Sequence, residues 1–68
     1  MNLLERKKTQ KQINLLIATN RKFDEYIESL IKNYPLHTDD EKNALQLQEH
    51  LTNLSVIFSS MLSNVGKK

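Results

Sequence analysis

The sequence predicts an all-α fold, an antiparallel two-helix hairpin (αα-hairpin) packed in coiled-coil fashion, and three observations carry that expectation. The 68 residues include one glycine and one proline and are otherwise rich in Leu, Ile, Lys, Asn, Gln and Glu, the composition of long uninterrupted helices. Two stretches repeat apolar residues at alternating intervals of three and four positions. Between them lies one short Pro-to-Thr segment suited to reversing the chain.

The first stretch runs Ile13, Leu16, Asn20, Phe23, Ile27, Leu30, Tyr34, a single stripe in which Asn20 is the one polar member. Pro35 ends it, because its ring disfavours helical geometry at Tyr34 and removes a backbone donor. Helix 1 is therefore expected over about residues 3–34 and a loop over 35–38. Thr38-Asp39-Asp40-Glu41 reads as a capping box, with two further carboxylates suited to a helix N-terminus. Helix 2 is expected over about 39–65, with Ala44, Leu47, Leu51, Leu54, Phe58, Met61 and Val65 as its stripe and Gly66 as a left-handed C-terminal cap.

Folding back at the proline pairs the stripes in layers, from Tyr34 with Ala44 through Phe23 with Leu54 and Asn20 with Phe58 to Ile13 with Val65. Residues 1–68 thus form a single domain, in which residues 1–12 project past the end of helix 2 and fray, fold back or dock elsewhere. Asn20 either fixes the register of the pair or faces water at a loose layer.

Several functions are excluded or disfavoured by residue type. Without cysteine there is no disulfide framework, thiolate metal site or cysteine nucleophile. His37 and His50 lack a second ligand at metal-binding spacing, and a lone glycine at position 66 cannot build a phosphate loop. No catalytic, cofactor or metal site is expected, and the chain reads as non-enzymatic. It shows no apolar signal segment or membrane-spanning run, so a soluble cytoplasmic protein is expected.

A chain this short is marginal as an isolated hairpin. Apolar residues outside the stripes, Ile17, Ile31, Val56, Ile57 and Leu62, widen the greasy face and are the candidate partner-binding surface. The expected partner is a protein, reached by completing a four-helix bundle with a second copy or by forming a heterocomplex with another helical chain. Charge is uneven, with Arg6, Lys7, Lys8, Lys11, Lys67 and Lys68 at the open end and Asp39, Asp40 and Glu41 at the loop. Two hairpins packed with loops at opposite ends would bring these poles together. The same basic end could grip nucleic acid through Arg6, Lys7, Lys8 and Lys11, but the aromatic residues Phe23, Tyr34 and Phe58 are used in the stripes, which disfavours that use.

The run Leu45-Gln46-Leu47-Gln48-Glu49-His50-Leu51 leading into Val56-Ile57-Phe58 resembles the small needle-subunit co-chaperones of type III secretion systems, over residues 13 to 65. The resemblance implies a cytoplasmic bacterial protein that pairs with a helical-repeat chaperone and keeps a needle subunit unpolymerised. The hairpin also resembles plasmid-encoded RNA-binding hairpins that dimerise into four-helix bundles. The leading expectation is therefore a chaperone-like or adaptor module, with a small homodimeric RNA- or DNA-binding regulator of phage or plasmid type as the alternative.

Overall fold

The computed structural model describes residues 2–66, and Lys67 and Lys68 of the basic end lie outside the described residues. Two helices, α1 (Leu3–Asn33) and α2 (Thr38–Gly66), pack against each other as an all-α hairpin 50 Å long and 15 by 11 Å across.

Helix α1 starts at a capping box that the sequence reading did not identify. Asn2 Oδ1 accepts from the Glu5 amide at 2.8 Å, and the Asn2 amide donates to Glu5 Oε2 at 3.4 Å. Two of the four orphan amides of the first turn are thereby satisfied. Residues 3–12, of the segment expected to project past helix 2 and there to fray, fold back or dock elsewhere, are regular helix, and Arg6, Thr9 and Gln10 are partly covered. At the other end α1 stops where the proline dictates. Tyr34 is extended, with φ −129° and ψ 141°, and its amide closes the last turn on the Leu30 carbonyl at 3.3 Å.

Both expected caps of α2 differ from the sequence reading. Thr38 lies inside the first turn, because the Glu41 amide donates to the His37 carbonyl at 2.9 Å rather than to the Thr38 hydroxyl. An added backbone bond here outcompetes a side-chain cap. Gly66 is the last helical residue, and among the described residues no glycine has a positive φ. The three acidic residues Asp39, Asp40 and Glu41 do occupy the first turn, where the helix dipole favours them.

The hairpin buries little. Among the described residues, Ile13, Ile27 and Ala44 are the buried apolar ones, at 4%, 7% and 5% exposed. Ile17, Asn20, Asp24 and Ile31 on α1 are half-buried, as are Gln48, Leu51, Phe58, Leu62 and Val65 on α2. The inter-helix seam therefore follows Ile13, Ile17, Asn20, Asp24, Ile27, Ile31 instead of the expected line through Leu16, Phe23 and Leu30. Helix α2 is turned in the same sense, with Gln48 and Leu62 inward and Leu47, Leu54 and Met61 outward.

Geometry permits this rotation because the apolar stripe of each helix is three columns wide. Periodicity of 3.6 fixes the direction of such a face but not which of its edges meets the neighbouring helix. Cross-helix hydrogen bonds favour the observed edge. Asn20 Nδ2 donates to the Leu51 carbonyl at 2.9 Å and Gln48 Nε2 donates to Glu28 Oε2 at 2.7 Å. The expected layering would have placed Glu28 beside Glu49 and His50 and Asn20 beside Phe58, so both observed partners lie nearer the start of α2 than expected.

Candidate interaction surface

Turning the seam has a direct result at the surface. Leu16, Phe23 and Leu30 of α1 and Leu47, Leu54 and Met61 of α2 are each between 39% and 49% exposed. In an antiparallel pair whose helices are rotated in the same sense, these two columns flank the seam on one side of the hairpin. At mid-length they converge: Leu16, Thr19, Phe23, Leu54 and Phe58 line a common groove whose floor is Asn20 and Leu51. Tyr26 and Ile57 extend the same side outward.

The opposite groove is different in character. It is lined by Ile17, Asn20, Arg21, Asp24, Leu51, Thr52, Ser55 and Val56, a mixture of charged, hydroxyl and apolar groups. The hairpin is thus two-sided, with one groove almost wholly apolar and one of mixed character. Two apolar columns side by side, each about 21 Å long, exceed the scattered single hydrophobes normal on protein surfaces.

Of the five residues named from the sequence as partner-binding, Ile17 and Val56 line the second groove together. Ile17, Ile31 and Leu62 are half-buried along the inter-helix seam. Val56, 67% exposed, borders the second groove, while Ile57, 52% exposed, borders the apolar face. The residues on the open apolar face are those the sequence reading had assigned to the seam. Their spacing was visible; the side of the hairpin they occupy was not.

Electrostatics at the poles follow the helix termini. Lys7, Lys8 and Lys11 are exposed near the start of α1 with Arg6 half-covered beside them, and Asp39, Asp40 and Glu41 are exposed at the loop end. Glu28 accepts from Gln48 and pairs with Lys32 at 3.2 Å, and the hydrogen bond from Gln48, followed by Lys32, holds its carboxyl below the ordinary glutamate value of 4.5. Both groups of that ion pair remain largely in water, so it adds little stability.

No group of three His, Cys, Asp or Glu side chains converges among the described residues in a way that could hold a metal ion. His37 sits exposed in the turn and His50 exposed on α2. Among the described residues no helix is long and apolar enough to cross a membrane. No protein-family model, curated protein or solved structure matches this chain.

Proposed function

We propose that this chain is a non-enzymatic protein-interaction module whose working surface is the apolar face formed by Leu16, Phe23, Leu30, Leu47, Leu54 and Met61. The observation that carries the reading is the imbalance between inside and outside: three apolar side chains are buried, whereas six large ones on one side are left nearly half exposed. Completing the burial of one such side chain contributes about 1 kcal/mol. Covering all six outweighs anything the seam's polar groups supply, which supports a face made to be covered by another helical chain.

Two forms of partner fit the reading. In the form implied by the resemblance to needle-subunit co-chaperones, a helical-repeat chaperone lies on the face. In the other, the hairpin meets its own copy.

A photo-reactive phenylalanine analogue at Phe23, in cells that naturally produce the chain, tests the surface directly. A discrete protein adduct is expected on illumination. The same analogue at Lys22, exposed on the outer side of α1, should give none. A folded chain with no adduct from Phe23 would overturn the proposal.

A further inference from the structure

We propose that the occupant of the apolar face is a second copy of this chain, laid face to face with its loop at the opposite end. The inference rests on the interaction reading above and names its partner. Under the two-fold symmetry usual for dimers, a face of this shape is self-complementary: α1 lies antiparallel on the partner's α1, and α2 on the partner's α2. The columns Leu16-Phe23-Leu30 and Leu47-Leu54-Met61 then each meet their own copies, and four helices enclose one core.

Three observations select a second copy. First, a hairpin with three buried side chains is a poor candidate to persist in isolation until an unrelated partner arrives, whereas its own copy is present wherever it is made. Second, the broad side of the hairpin measures 50 by 15 Å, about 750 Å² in outline and near the roughly 800 Å² per partner of a standard stable interface, with the apolar columns over about 21 Å at its middle and the charged poles at its ends. Third, the poles are complementary. Arg6, Lys7, Lys8 and Lys11, against Glu5, leave the open end positive, while Glu28, Asp39, Asp40 and Glu41, against Lys32 and Lys42, leave the loop end negative. Opposed loops bring the positive pole of each copy to the negative pole of the other, and aligned loops would set like charge on like.

The chain has no cysteine, so a single thiol can be placed without interference. His37→Cys, in the exposed turn outside both helices, carries a nitroxide spin label for distance measurement between copies. The expected separation approaches the 50 Å length of the hairpin. A separation of less than half that length would overturn the opposed arrangement. Lys8→Cys at the other pole reports independently and should also give a long distance. The double variant Asp39→Lys, Asp40→Lys should weaken association several-fold at low salt and much less at high salt; unchanged or tighter association would contradict the charge pairing. A folded monomer at every concentration overturns the second copy as occupant. If Phe23 still forms an adduct with a different protein in cells, the interaction reading survives that result; if it forms none, both fail.

Discussion

Asn20 donates its side-chain amide to the backbone carbonyl of Leu51, joining the middles of the two helices at 2.9 Å. That carbonyl lies within continuous helix and already accepts along α2, so the bond is an addition and not a rescue. Removing it with Asn20→Ala should cost about 1 kcal/mol in urea unfolding. Asn20→Leu leaves no orphaned acceptor and adds apolar area, so it should be at least as stable as the natural chain while its unfolding transition broadens. A neutral Asn20→Ala would show that the contact contributes nothing.

Ala44 is the smallest of the buried residues and lies near the turn, where the two helices are closest to their connection. A larger side chain there has to displace α1. Ala44→Leu should lower stability by about 1–3 kcal/mol, read from the midpoint of thermal unfolding. If Leu is accepted without loss, the helices do not approach at this position.

The carboxyl of Glu28 titrates below its ordinary value because Gln48 and then Lys32 stabilise its charged form. A folded-state value below the unfolded one contributes stability above the ordinary value of 4.5, and that contribution fades as pH falls through the lowered folded-state value. Glu28→Gln should therefore remove a small part of the acid dependence of helicity below that pH and change nothing else there. The effect is small because the group is solvated. Identical acid titrations of the two proteins by circular dichroism would contradict the Gln48 contact.

Helix α1 begins on the reciprocal pair of Asn2 and Glu5. Asn2→Ala should cost about 1 kcal/mol and speed hydrogen exchange over the first two turns, leaving the middle of the helix unchanged. Uniform exchange across α1 in both proteins would mean that the cap does not hold the terminus.

The two helices and the turn between them were legible because Pro35 and the repeated three-four spacing act locally. Which edge of each stripe meets the other helix was not, because Leu16 and Ile17 are equally apolar neighbours at the rim of one face. The deciding contacts come from Asn20 and from the pair Gln48 and Glu28, polar side chains whose partners are far apart in sequence. The surface followed from that choice: Phe23 and Leu54, expected inside, line an open groove. Asn2 carries a readable signal, since Asn followed three residues later by Glu is a helix-start pattern, although the apolar stripe that marks α1 starts only at Ile13.

Sedimentation equilibrium of the purified chain beside its Leu54→Glu variant tests most directly whether the apolar face is covered by a second copy. The natural chain should sediment at twice the 8.0 kDa of one copy, and the variant, with a charge in the middle of the face, at a single copy. Two folded proteins that both sediment as single chains at every concentration would contradict it.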